Sequence, residues 1–484
     1  MQLSVIQKIL GLLLMVSSLT FLPSGFVGLI YGDGAVQPFF ESFLIVLTIG
    51  VVCWFPARNK RKELRTRDGF VVVVMFWTVL GLSGAVPFIL STEIDMSVID
   101  SVFESISGLT TTGATVITEI DQLPHSILFY RQMLQWIGGM GIIVLAVAVL
   151  PMLGIGGMQL YKAETPGPMK DNKLTPRITE TAKALWYIYF GLTVLCALSY
   201  WLAGMSGFDA ISHSFATVAI GGFSTHDQSI GYFDSHLIEM IAVVFMLLSA
   251  ANFALHFVAM RKMSVKPYLA DTEFRVYISV LFVVAILTVS GLYWGNNISD
   301  AGEAFFTGVF QAVSIGTTTG FTTAQYHEWR GYVPLLLILA SFMGGCAGST
   351  GGGMKVIRVL LLFKQGLREI TRLVHPTAQI PVRVGKKTIP PRVIDAVWGF
   401  FALYMVSFTV IYLYIASPAD MELVTAFSAV AACINNLGPG LGAAAITYVN
   451  FDDSAKGLLC FAMLLGRLEI FTLLVLFTPT FWRT

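Results

Sequence analysis

Runs of about twenty consecutive apolar residues recur along this 484-residue chain, and few folds accommodate them. A helix of that length crosses a hydrocarbon core of ~30 Å, and within lipid only helices or closed barrels satisfy every backbone polar group. Ten runs stand out, at residues 3–31, 39–55, 69–90, 127–153, 184–205, 237–260, 274–294, 333–363, 393–416 and 458–481. The expected fold class is therefore an all-α polytopic membrane protein. Within the first run Lys8 precedes an apolar stretch, as in a secretory signal, but the run is too long for one and has no clear small-residue cleavage site, so it is read as a span. Composition agrees: 55% of residues are hydrophobic and 12% charged, about half the charged share of soluble chains. Lys and Arg number 30 against 29 Asp and Glu, so no basic excess points to nucleic acid. The five cysteines, Cys53, Cys196, Cys346, Cys433 and Cys460, lie in apolar runs with no Cys-x-x-Cys pair and read as membrane-buried thiols.

Charge placement orients the spans, because Lys and Arg stay on the cytoplasmic side of short loops. Arg58, Lys60, Arg61, Lys62, Arg65 and Arg67 follow the second run. Same-side segments carry Lys162, Lys170, Lys173, Arg177 and Lys183, then Arg261, Lys262, Lys266 and Arg275, then Lys364, Arg368, Arg372, Arg383, Lys386, Lys387 and Arg392. The alternate loops are acidic, with Asp95, Asp100, Glu104, Glu119 and Asp121 in one and Asp209, Asp227 and Asp234 in another; Arg330 is the exception. Both termini come out cytoplasmic.

The external loops contain an internal repeat. One runs from Phe103 to Thr110-Thr111-Thr112-Gly113, and another from Phe310 to Thr317-Thr318-Thr319-Gly320, with the same offset. Weaker copies end in Ile220-Gly221-Gly222 and in Asn436-Leu437-Gly438. In each, a short apolar segment of about three helical turns precedes the glycine, too short to cross a bilayer but suited to a re-entrant half-helix. Non-helical backbone survives at membrane depth only where protein or a watery cavity receives it. Four such loops around one axis make a pore, in which rings of carbonyls replace a cation's hydration shell. Gly reaches positive φ cheaply, which lets successive carbonyls face inward. Turn punctuation explains one Thr-Gly pair, but not four in matching topological positions.

The run 333–363 contains Gly344, Gly345, Gly348, Gly351, Gly352 and Gly353 around Ser349, six glycines in ten residues, followed by Lys355. Each glycine costs a helix ~1 kcal/mol against alanine, so this span is expected to break into two helices joined by an intramembrane loop. The loop reads as a gate below the filter, or as close packing through small residues. Its order does not match a phosphate-binding Walker loop. Arg467 falls inside the last run, where an arginine faces a bundle interior with a partner. It reads either as a structural residue held by Glu469 or loop carbonyls, or as a cation-repelling element of the gate. His213 and His226 flank the second copy without metal-ligand spacing. The basic, proline-containing stretch 364–392 reads as a cytoplasmic linker.

These loops, the two extra N-terminal helices and the segment from Gly344 to Lys355 resemble the Trk/Ktr/HKT superfamily of potassium transporters, whose single chain carries four helix, pore-loop, helix repeats. The resemblance implies a pseudo-fourfold potassium-selective pore in a bacterial inner membrane. It also implies a homodimer, and a cytosolic regulatory subunit of the TrkA type that carries the nucleotide, so that this chain binds no cofactor and potassium is its substrate. Under it, Thr111, Thr112, Gly113, Ile220, Gly221, Gly222, Thr318, Thr319, Gly320, Asn436, Leu437 and Gly438 are the candidate filter residues. Each copy has one glycine where a potassium-channel loop has two, and the copies differ, so weaker discrimination among monovalent cations is expected than in a symmetric tetramer. The chain divides into an N-terminal two-helix segment, 1–68, and repeats at 69–160, 176–265, 268–375 and 390–484. A proton- or sodium-coupled symporter and an intramembrane enzyme are the rival readings. The former wants a carboxylate or histidine relay, and the latter a nucleophile with a base; Ser349 has no histidine near it in its span.

Overall fold

A computed structural model describes residues 2–59, 66–141 and 178–483. The basic loop 162–177 and the end of the run 127–153 lie outside these residues. Six described helices are long and apolar enough to cross a membrane, and two bent pairs bring the number to eight. Their outward faces carry exposed apolar side chains such as Leu198, Trp201, Phe282, Val406 and Val410, as a lipid-facing surface requires. The first hairpin, Leu3–Ser18 with Val36–Trp54, packs closely: a Cβ on Gly11 would overlap backbone of Gly50 and Trp54. Small residues drive such approaches where no hydrophobic effect operates between helices.

Four half-helices stand among the described residues: Val98–Leu109, Gly207–Ala219, Ala301–Gly316 and Leu423–Asn435, of 12, 13, 16 and 13 residues. At 1.5 Å per residue they extend only about 18–24 Å. Three are capped by local chemistry. Ser97 accepts from Asp100 N, Ser206 from Asp209 N and Asp300 from Glu303 N, each cap contributing ~1 kcal/mol.

The helices that follow the half-helices depart from the runs read in the sequence. The run 237–260 is two helices, His236–Ser249 and Phe253–Lys262, bent by 95°. Asn252 makes the bend by capping the second piece, its Oδ1 accepting from Ala254 N at 2.8 Å. The run 458–481 likewise bends by 111° after Asp453–Arg467, with Glu469 and Ile470 both at positive φ. Arg467 is therefore not mid-helix but the last residue before a break. In the third repeat the helix stops at Ser341 and resumes at Val356, which agrees with its glycine content. The resumed helix continues to Val374 and is followed by a hairpin pairing Arg383–Val384 with Lys387–Thr388. The stretch read as a linker thus begins with helix and contains a hairpin, because the amphipathic pattern of Val356–Val374 continues past its first charges.

Candidate functional site

The four half-helices end alike. Thr111, Ile220, Thr318 and Asn436 have φ of 56°, 57°, 68° and 53°, two residues before glycines at 81°, 78°, 87° and 94°. The intervening residue of each donates back to its half-helix: Thr112 N to Ser107 O, Gly221 N to Ala216 O, Thr319 N to Ser314 O and Leu437 N to Ala432 O, at 2.8–2.9 Å. Alternation of left-handed and ordinary backbone turns successive carbonyls to one side. A β-branched residue such as Ile220 rarely adopts positive φ; here the identical geometry recurs in all four loops.

The loops also meet in cyclic order. A Cβ on Gly113 would overlap Gly221 O, one on Gly222 would overlap Thr319 O, one on Gly320 would overlap Leu437 O, and one on Gly438 would strike Thr112 O. Each glycine therefore faces the carbonyl preceding the next glycine, and the fourth closes on the first. All twelve candidate filter residues lie in this ring. Apart from Gly113 and Gly222, which are partly buried, they are buried.

The glycine-rich loop presses on the ring. Gly352 N donates to Thr318 Oγ1 at 2.7 Å, Gly353 N to Asn435 O at 3.0 Å, and Thr350 Oγ1 to Val218 O at 3.1 Å. Gly344 and Gly352 cannot bear a side chain, since a Cβ would overlap Gly352 O and Asn435 O respectively. Gly345 packs on Ala250, and Gly351 accepts from the Lys355 ammonium. Gly348 and Ser349 lie on the loop's other side, against the bend of repeat 2, where Phe253 N donates to Gly348 O at 3.1 Å.

Arg467 joins three parts of the assembly. Its guanidinium donates to Thr350 O at 3.1 Å, Gly138 O at 2.6 Å and Thr111 Oγ1 at 3.2 Å. Glu469 is not its partner; that carboxylate pairs with Arg358, whose guanidinium sits 4.3 Å from the Phe400 ring centroid.

Other buried charges were not legible as functional in the sequence. Glu104, read as an outer-loop acid, is wholly buried and accepts from Arg131 Nε at 2.8 Å and from Val116 N at 3.1 Å. Arg131 also donates to Ser224 O at 3.2 Å and lies over Phe223, so the pair braces the first two loops from behind. Its position inside an apolar run was the available signal. Lys456 reaches Asp100 at 2.6 Å and joins the last repeat to the first.

Just after the second loop's glycine, His226 Nδ1 lies 2.6 Å from Asp121 Oδ1 and Nε2 lies 3.4 Å from Asp209 Oδ1, with the ring stacked on Tyr232. Burial would lower its pKa, but the hydrogen bonds and charges of Asp209 and Asp121 raise it above the ordinary histidine value. The sign follows: a raised histidine contributes stability that is complete below ~6.5 and is lost as pH rises through the folded value. Thermal melts from pH 6 to 9 should therefore show a loss of stability that His226→Gln abolishes. An identical pH profile in the variant would refute this tie.

Four half-helices with left-handed ends, converging in a closed cycle within a polytopic helical bundle, define a pore-loop membrane protein. The chain belongs to the TrkH family, described as cation transport proteins, whose pattern matches residues 35–483. It is 57% identical to the Trk system potassium uptake protein TrkH of Vibrio parahaemolyticus serotype O3:K6 over 100% of both chains. It is 55% identical to TrkH of Escherichia coli K12 over 99% of both. The crystal structure of the potassium transporter TrkH from Vibrio parahaemolyticus superposes with a TM-score of 0.91 at 54% identity, covering 100% of each chain.

Proposed function

We propose that this chain is a potassium uptake protein of a bacterial inner membrane, with cytoplasmic termini and a gated, channel-like pore of pseudo-fourfold form. The cyclic meeting of the four glycine loops carries the reading: it offers a ring of carbonyls to a dehydrated monovalent cation, with four half-helix C-termini adding a negative field. The filter is Thr111 to Gly113, Ile220 to Gly222, Thr318 to Gly320 and Asn436 to Gly438. The gate is the loop at 344–353 with Lys355 and Arg467. The wholly buried Glu104 and the partly buried Glu469 each face an arginine, which favours simple conduction over a relay through these two carboxylates. Ions then move down the membrane potential, worth ~2.3 kcal/mol per charge per 100 mV.

The gate is worked from the cytoplasm by a nucleotide-binding subunit of the TrkA type, and two copies of the chain form the assembly. The exposed apolar edge of Val356–Val374, with Phe363, Leu367 and Ile370, supports a second copy. Its basic residues and the adjoining hairpin suit an acidic regulatory surface. Potassium flux into proteoliposomes tests the reading. Uptake should follow an imposed potential and ignore pH and sodium gradients; dependence on either gradient would establish a symporter instead.

A further inference from the structure

The ring is not evenly available to an ion. Of the carbonyls preceding the four glycines, Gly221 O accepts from Gln135 Nε2 at 2.6 Å, and the same amide's Oε1 accepts from Phe223 N at 3.1 Å. Among the described residues, Thr112 O, Thr319 O and Leu437 O accept from no protein group. The layer of the glycines themselves repeats the pattern. Gly438 O accepts from Tyr448 OH at 2.8 Å, while Gly113 O, Gly222 O and Gly320 O accept from none of the described residues. Both donors are fixed: Gln135 is fully buried, and Tyr448 is 1% exposed with its own N–H held by Thr115 O at 2.9 Å.

Neither donor is a general feature of the repeat. Gly138 and Gly466 are equivalent, since a Cβ on them would overlap Leu109 O and Ile434 O, each four residues before a ring glycine. Three residues earlier the first repeat has Gln135 and the fourth has Met463. The two tied carbonyls belong to the second and fourth loops, opposite in the cycle and the two that lack Thr-Thr-Thr-Gly.

We propose that Gln135 and Tyr448 are selectivity-setting positioning residues outside the filter, each withdrawing one of four carbonyls from adjacent coordination layers. A lone pair shared with a side-chain donor offers less to a cation, and both the number and the field of the carbonyls govern potassium over sodium preference. A larger ion that needs many ligands loses more from this than a smaller one. The inference rests on the filter assignment above.

The test compares potassium and sodium flux in proteoliposomes of the full chain, for the parent, Gln135→Met (the fourth repeat's residue at that position) and the near-isosteric Tyr448→Phe. Each substitution should raise the potassium to sodium flux ratio about threefold or more, the scale of one neutral hydrogen bond, and the double variant should raise it further. A purely structural role would lower both fluxes together and leave the ratio alone. An unchanged or reduced ratio in folded Tyr448→Phe overturns the proposal even if Gln135→Met fails to fold. Failure of the filter assignment is read separately: there, the parent shows no potassium flux, or a ring-glycine variant conducts as the parent does.

Discussion

Replacing Arg467 by alanine raises basal cation flux about tenfold or more. Three acceptors in different parts of the molecule share this guanidinium: Thr350 O in the glycine loop, Gly138 O at the end of the helix His125–Gly139, and Thr111 Oγ1 in the first filter loop. The loop between 344 and 353 has little intrinsic preference for one shape, so its place under the ring depends on such contacts. A hydrogen bond from a charged donor contributes ~1.5–3 kcal/mol, and each 1.4 kcal/mol is a factor of ten in population. Alanine also removes a fixed positive charge from beside the first filter loop and the glycine loop. Lysine at this position keeps the charge but not the fork, and should give an intermediate flux. The measurement is potential-driven flux through the chain alone in proteoliposomes. Flux equal to or below the parent's, in protein that folds normally, would show that Arg467 does not hold the pore shut.

Gly320→Ala has the opposite consequence. The residue sits at φ 87°, and a Cβ there would overlap Leu437 O and come within 2.8 Å of Pro439 Cδ. Left-handed backbone costs an L-residue ~1–2 kcal/mol, and neither obstacle is a flexible side chain that can swing away. The loop must shift, and with it the carbonyl it faces. Potassium uptake should fall to below about a tenth of the parent's, with the protein still folded, since the strain is confined to one turn. Gly191→Ala provides the control, because a Cβ there meets nothing within 4 Å. Parent-like uptake by Gly320→Ala would remove the ring from the ion's path.

The sequence was most informative where a physical requirement leaves a compositional mark. Apolar runs mark lipid contact, and the spacing from Phe103 to Gly113 recurs from Phe310 to Gly320 because both loops make the same turn. The second and fourth loops were fainter. Ile220 and Asn436 adopt the left-handed geometry of Thr111 and Thr318, a backbone property that side chains as unlike as Thr, Ile and Asn do not announce. The break in the third repeat was legible from its glycines, whereas the bends after Ser249 and Arg467 were not. One depends on a single capping asparagine, and the other on two ordinary residues held at positive φ.

By itself, the sequence determined the all-helical membrane class, the loops carrying the repeat and the place of the glycine-rich break, since these follow from local hydropathy, spacing and glycine content. Only the tertiary structure decided which groups meet. Arg467 holds Thr350, Gly138 and Thr111, Glu469 belongs to Arg358, and Glu104 to Arg131. The physical reason is distance along the chain. Arg467 and Thr111 are 356 residues apart, and a contact of that kind is set by how the four glycine loops meet in a cycle rather than by anything either segment carries alone.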